Sequence, residues 1–438
     1  MRLNGTMAVN AKDHLVIGGC DTVDLLREFG SPLHVMDETQ IRQTCRAYHQ
    51  AFIEGIPGGE VAYASKAFCC TAMIRIIAQE DLGLDVVSGG ELYTAMAAGF
   101  DPARINFHGN NKTAEELRYA LECKVGRIVV DNFTEIDMLA DIAEGMGLRP
   151  KALLRVQPGV AAHTHAYVQT GQTDSKFGLS IAMGQATEAI DKMRRNAHME
   201  LMGVHCHIGS QIFEVETFSH TARVMANYMA DVRDKLGFTM TELNLGGGFG
   251  IYYHEPDAAQ APAAYAQAIS KALGDVFRLR SFPMPARISV EPGRAIIGSG
   301  DTTLYTVGTI KSIPGMRTYV AVDGGMTDNP RPALYQSSYE LCLANRMSDQ
   351  DTVLASIAGR CCESGDMLLW DMPMPMPVSG DILAIPCTGA YHYAMSSNYN
   401  RVPRPAIVLA SDGAAHVVVK RETYEDVARN DLVPAHLL

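Results

Sequence analysis

The sequence predicts a (β/α)8 barrel of the TIM type followed by an all-β domain. Two patterns and one exclusion carry this. Between residues 61 and 290, short apolar runs alternate with amphipathic stretches long enough for helices, which implies right-handed βαβ units on a parallel sheet. After Gly293 helical periodicity almost disappears, and strand-like runs punctuated by Gly, Pro and Asp take over. No G-x-G-x-x-G follows the first run, so an open doubly wound sheet lacks its main support.

The elements follow in order. Asp13–Gly18 and Ser31–Asp37 read as edge strands, and the second enters a helix over Glu38–Phe52 through the apolar spacing of Ile41, Cys45, Tyr48 and Phe52. The eight runs are Val61–Ser65, Leu84–Val87, Ile105–His108, Arg127–Asp131, Ala152–Val156, Gly203–Ile208, Glu242–Leu245 and Arg287–Val290. Ala114–Cys123, Glu135–Met146, Thr217–Leu236 and Ala258–Leu279 supply helices between them. Eight such units match a closed barrel. Beyond them, Thr303–Ile313, Arg317–Val322, Thr352–Ile357, Asp381–Pro386, Ala406–Ala410 and His416–Lys420 read as strands of a β-sandwich or Greek-key barrel. Met372–Pro377, with its alternating prolines, reads as a loop. The expected division is a barrel over 38–293 and a β domain over 1–37 and 294–438.

Composition narrows the function. The chain has 438 residues, 47% hydrophobic and 20% charged, too long for one small core. Apolar runs are too short to span a bilayer, and the N-terminus lacks the apolar core of a signal peptide. The ten cysteines include the adjacent pairs Cys69-Cys70 and Cys361-Cys362 but no C-x-x-C, so reduced thiols in a cytoplasm fit better than a zinc ribbon or a disulfide framework. A net charge of -12 argues against nucleic acid. A small-molecule enzyme remains.

In such a barrel the active site lies at the C-terminal ends of the strands. Lys66 ends the first run. Asp85 and Ser88-Gly89-Gly90-Glu91 follow the second, and Arg155 the fifth. His205, Cys206, His207 and Ser210 stand at the sixth, Gly246-Gly247-Gly248 after the seventh, and Glu291-Pro292-Gly293-Arg294 after the eighth. Lacking Cβ atoms, the glycines let backbone N–H groups approach an anion, and Ser210 and Arg294 complete a phosphate cup; a plain turn is the competing reading. His205 and His207 are two apart on one run, a spacing that suits a metal-dependent hydrolase or an imidazole lying against an aromatic ring. A carboxylate such as Glu291 beside a pyridine nitrogen keeps it protonated and makes the ring an electron sink. Lysine, phosphate cup, ring-stacking histidine and acid together describe a pyridoxal 5'-phosphate (PLP) site.

The chain resembles the diaminopimelate decarboxylases, PLP enzymes on an alanine-racemase-like barrel. The resemblance rests on Tyr63–Phe68, Asp85–Glu91, His205–Gln211, Gly246–Gly250, Glu291–Arg294, Cys362–Asp366 and Gly389–Tyr391, with Thr164-His165, Thr170-Gly171-Gln172 and Ser175–Gly178. It implies that Lys66 forms the internal aldimine and His207 stacks on the ring. Asp85, Ser210, Gly246, Gly247, Gly248, Glu291, Pro292, Gly293, Arg294 and Tyr391 would surround the cofactor. Arg294, Arg331 and Tyr335 would bind substrate carboxylates, with Tyr391 also near the substrate. Glu363 would meet the distal ammonium, and Cys362 would return the proton. The implied reaction is decarboxylation of meso-2,6-diaminopimelate to L-lysine and CO2, by a homodimer whose Cys-Glu segment enters the partner's site. No metal is implied. Decarboxylation of another basic amino acid is the alternative within the family.

Overall fold

The computed structural model describes residues 1–160 and 175–438. The chain forms two compact units, one of Arg42–Ile251 and Asp257–Ile296, the other of Met1–Ile41, Tyr252–Pro256 and Ile297–Leu438.

The first unit is a closed eight-stranded parallel barrel. Its strands are β1 (Gly59–Ala64), β2 (Gly83–Val86), β3 (Ile105–Phe107), β4 (Arg127–Val130), β5 (Lys151–Gln157), β6 (Glu200–His205), β7 (Glu242–Asn244) and β8 (Arg287–Val290). β8 pairs with β1 through Val290 and Val61, and β4 with β5 through Val130 and Leu154, so no edge is left among the eight. The short pair Leu179–Ser180 adds to β5. Apolar residues bury both faces of most strands, as Tyr63, Leu84, Ile105, Phe107, Ile128, Leu243 and Ile288 show. Polar residues interrupt this pattern near the C-terminal ends, where Asp85, Asn106, His205, Asn244 and Glu291 are all buried. Local chemistry starts the helices that follow. Ser88 caps Gly89–Ala97, Asn132 caps Phe133–Met146, and Thr113 with Glu116 forms a capping box on Ala114–Cys123.

The second unit is built on a mixed sheet. Its longest strand, Asp301–Ile313, pairs antiparallel with Leu33–Asp37 and Ile382–Pro386 in its first half and with Arg317–Val322 in its second. Arg317–Val322 pairs parallel with Val353–Ala358, and Ala406–Ser411 parallel with Leu33–Asp37. Leu15, Ile17, Leu33, Val35, Leu304, Ala384 and Val408 meet in its core.

Three local expectations change. Leu33–Asp37 is an inner strand, buried at all five residues and flanked on both sides. Leu15–Ile17 is the middle strand of a small antiparallel sheet with Ala8–Val9 and Cys20–Asp21. The expected loop at Met372 is the end of a strand, Met367–Met374, with Pro373 opposite Leu354. That strand terminates the sheet order, and an edge tolerates a proline whose missing N–H faces away from the ladder.

Candidate active site

Lys66 lies in the 3-10 turn Ser65–Ala67 that ends β1; its side chain is exposed between two buried neighbours. The turn is pinned from below. The Ser65 hydroxyl stands 2.6 Å from the Asp85 carbonyl oxygen and 2.8 Å from Glu91 Oε2, which also accepts the Val87 N–H. The Tyr63 hydroxyl donates to the Phe68 carbonyl across the same turn.

Glu291, just past β8, is the centre of the buried polar cluster. Asn244 Nδ2 donates to its Oε1 at 2.6 Å, and His205 Nε2 reaches its Oε2 at 3.1 Å. His108 Nε2 lies 3.2 Å from Oε1 and 3.5 Å from Asp85 Oδ1, and Asn106 donates to that same Asp85 oxygen. Burial opposes every charge here. It drives His205 down to about 4, so that imidazole is neutral. For His108 burial is outweighed by Glu291 and Asp85, which raise it to about 9. Burial and then Glu291 push Asp85 up to about 6. Glu291 stays well below the usual carboxylate range, burial being overcome by the two histidines. The floor of the barrel mouth therefore holds an ionised carboxylate.

The glycine run is required by close packing. A Cβ on Gly246 would meet the Cys206 carbonyl oxygen at 2.3 Å, and one on Gly247 the Glu291 carbonyl oxygen at 2.2 Å. One on Gly248, at φ +108°, would meet the Gly209 carbonyl oxygen at 2.6 Å. The ends of β6, β7 and β8 thus approach through backbone alone. The Gly247 N–H donates to His207 Nδ1 at 3.2 Å, which fixes that nitrogen as an acceptor. Burial, then the Lys66 charge, hold His207 well below its ordinary pKa, so it presents a neutral ring. Arg294 donates to the Ser210 hydroxyl at 3.0 Å beside the run. β6 ends at His205, so the pleat alternation does not extend to His207.

In the second unit, Arg331 starts a helical turn, Arg331–Tyr335, and is buried. Its Nε donates to the Tyr339 hydroxyl at 2.8 Å and its Nη2 to the Ser337 hydroxyl at 3.2 Å. The rings of Tyr335, Tyr253 and Tyr391 stand 5.4, 5.8 and 5.9 Å from the guanidinium. Tyr391 adopts a left-handed backbone, φ 64°, unusual for a bulky residue. Cys362 and Glu363 lie in the turn that precedes the strand Met367–Met374. Both are exposed; the Cys362 N–H donates to Asn400 Oδ1, and Glu363 accepts the Gly365 N–H.

The barrel brings together Lys66, Asp85, His207, Ser210, Gly246–Gly248 and Glu291–Arg294 on one rim, and Arg331, Tyr335 and Tyr391 gather in the second unit. Residues 164–172 of the expected motif set lie outside the described residues. Asn244, His205 as a partner of Glu291, Tyr253 and Tyr339 were not singled out. For Asn244 the available signal was a polar residue inside the apolar run Glu242–Leu245. His108, His205 and Glu291 also bring ligand atoms within 4.8 Å of one another, a donor set suited to a metal hydrolase. That reading leaves Lys66, the glycine run and Arg294 without a task.

Comparison with known proteins decides between them. Residues 38–298 match the pyridoxal binding domain of the pyridoxal-dependent decarboxylases, and residues 228–389 their C-terminal sheet domain. The chain is 52% identical over 432 residues to the diaminopimelate decarboxylase of Bacillus subtilis (strain 168), covering 99% of this chain and 98% of that one. It is 46% identical over 427 residues to that of Staphylococcus aureus (strain COL), covering 97% and 99%. The crystal structure of diaminopimelate decarboxylase from M. jannaschii in co-complex with L-lysine matches with a TM-score of 0.93 at 34% identity, covering 99% of each chain. With its barrel, its sheet domain and near-complete coverage all in agreement, the chain belongs to the diaminopimelate decarboxylases among the pyridoxal-dependent decarboxylases.

Proposed function

We propose that this protein decarboxylates meso-2,6-diaminopimelate to L-lysine and CO2 with pyridoxal 5'-phosphate, the closing reaction of lysine biosynthesis. The observation that carries the reading is the buried, ionised Glu291 on the same barrel rim as Lys66 and the glycine run. The residues fit the cofactor. The glycine backbone leaves no room for side chains, and Asp85 Oδ2 and His205 Nδ1 are buried polar atoms without a hydrogen-bond partner among the described residues, as expected where a ligand supplies one.

When bound, the cofactor supplies a protonated pyridine ring that accepts the electrons left by CO2. Lys66 would anchor it through the ε-amine. Glu291 would keep the proton on the ring nitrogen, and neutral His207 would face the ring. Gly248, Ser210 and Tyr391 would hold the phosphate, since the N–H groups of Gly246 and Gly247 are taken by Asn244 and His207, and the Glu291-Pro292-Gly293-Arg294 turn would close that side. Arg294, Arg331 and Tyr335 bind the substrate carboxylates, and Glu363 the distal ammonium. A zwitterionic distal centre needs both a cation and an anion to be recognised, and Arg331 and Glu363 are that pair. Cys362 donates one proton to the α-carbon where CO2 has left, which balances the reaction.

The exposure of Cys362 and Glu363 supports their delivery to the site of a second copy in a homodimer. Ten free cysteines support a cytoplasmic setting. Among the described residues no helix is long and apolar enough to cross a membrane. The test is to supply PLP and meso-diaminopimelate and measure lysine. Absence of lysine, with turnover of another diamino acid, would overturn the substrate assignment.

A further inference from the structure

We propose that Asn244 is a positioning residue that registers the two ends of the cofactor site against each other. The proposal rests on the PLP reading above. Asn244 ends β7 and is fully buried. The Gly246 N–H donates to Asn244 Oδ1 at 2.9 Å. An N–H cannot accept, so this bond fixes which way the amide points. Nδ2 then faces Glu291 and donates to its Oε1 at 2.6 Å. The ring closes through the backbone, where the Glu291 N–H donates to the Gly246 carbonyl at 2.9 Å.

Three hydrogen bonds thus link the first glycine of the phosphate run to the acid that meets the ring nitrogen. Gly246 is held at φ +69° within this ring, and a Cβ there is excluded by Cys206. Only an amide serves both bonds. Aspartate keeps the acceptor for Gly246 but sets an oxygen against Glu291. Leucine matches the size and leaves both partners unsatisfied.

The experiment titrates apo-protein with PLP by absorbance, for wild type, Asn244→Leu, Asn244→Asp, and Asn244→Leu in a Glu291→Gln background, with thermal unfolding of each. The expected result is PLP binding weaker by about ten- to a hundred-fold in Asn244→Leu, the scale of a hydrogen bond to a charged group. The loss should be at least about threefold smaller in the Glu291→Gln background, because Asn244 acts through that carboxylate. Asn244→Asp, which keeps the Gly246 bond, should also bind more weakly, so the test survives if the leucine variant folds poorly. Wild-type affinity in both single variants, or an equal loss in both backgrounds, overturns the inference alone. Wild type that takes up no PLP overturns the cofactor reading and this inference with it.

Discussion

His108 Nε2 stands 3.2 Å from Glu291 Oε1 and 3.5 Å from Asp85 Oδ1, so one buried imidazole faces two buried carboxylates. A single positive charge cannot neutralise two acids. Glu291 takes the larger share and is held ionised, while Asp85 is pushed up to about 6. The mouth of the barrel therefore keeps one buried carboxylate ionised beside a second pushed toward its neutral form.

The His108 contribution to apo-protein stability should depend on pH. Its pKa is raised from 6.5 to about 9, so the contribution is complete below 6.5 and lost as pH rises through 9. Glu291 is lowered from 4.5, so its own contribution is present above 4.5 and lost only on deeper acidification. The stability gap between wild type and His108→Gln should be widest between those two ordinary values. It should shrink by on the order of 3 kcal/mol above pH ~9. Urea unfolding at a series of pH values measures it, and a gap that widens with pH contradicts the ion pair.

Lys66→Ala should remove the borohydride-fixable cofactor and nearly all activity. Its side chain is exposed, so stability should change by no more than about 0.5 kcal/mol. Mass spectrometry of the reduced protein is the check. Cofactor fixed at another lysine would reassign the anchor.

Cys362→Ala should lower kcat by about 10²–10⁴-fold, the usual weight of a positioned proton donor. PLP affinity and melting temperature should hold, since the side chain is exposed and its backbone N–H keeps Asn400. Unchanged turnover would move the donor elsewhere, with neighbouring Cys361 the first to examine.

Arg331→Lys should fail to restore substrate binding. The guanidinium serves Tyr339 and Ser337 at once and lies among three tyrosine rings, a planar geometry that an ammonium cannot reproduce. KM for diaminopimelate should rise about tenfold or more, while competition by 1,5-diaminopentane, which has no carboxylate for Arg331 to hold, should change far less. Steady-state kinetics with both compounds separates the two.

Gly247→Ala should cost about 1–3 kcal/mol, since the added methyl meets the Glu291 backbone oxygen, which cannot swing aside as a side chain would. PLP affinity should fall with it. Thermal unfolding beside a PLP titration tests both, and an undisturbed melting temperature would show that β7 and β8 can separate there.

Much of the rim was legible from the chain because Lys66, Gly246 and Glu291 each close an apolar run, and position at a strand end follows from local spacing. Arg331 and Tyr335 were legible only through the ordered motif set, since nothing in the local pattern separates them from surface residues. Leu33–Asp37 was misjudged as an edge strand because its two neighbours, Asp301–Ile313 and Ala406–Ser411, arrive hundreds of residues later. Pro373 misled in the opposite direction, because a proline at a sheet edge need not break the strand.

The sequence by itself determined the alternation of eight runs, hence the barrel, its catalytic rim and the family. Those features arise from side-chain period and turn chemistry, which are local. Only the tertiary structure decided how polar atoms share charge on that rim. Asn244 meets Glu291, and His108 meets both Glu291 and Asp85, because barrel closure staggers four strands until those side chains share one buried space. Which imidazole then carries the proton follows from distances of 3.1 to 3.5 Å between residues as far apart in the chain as His108 and Glu291, and no spacing within a run encodes them.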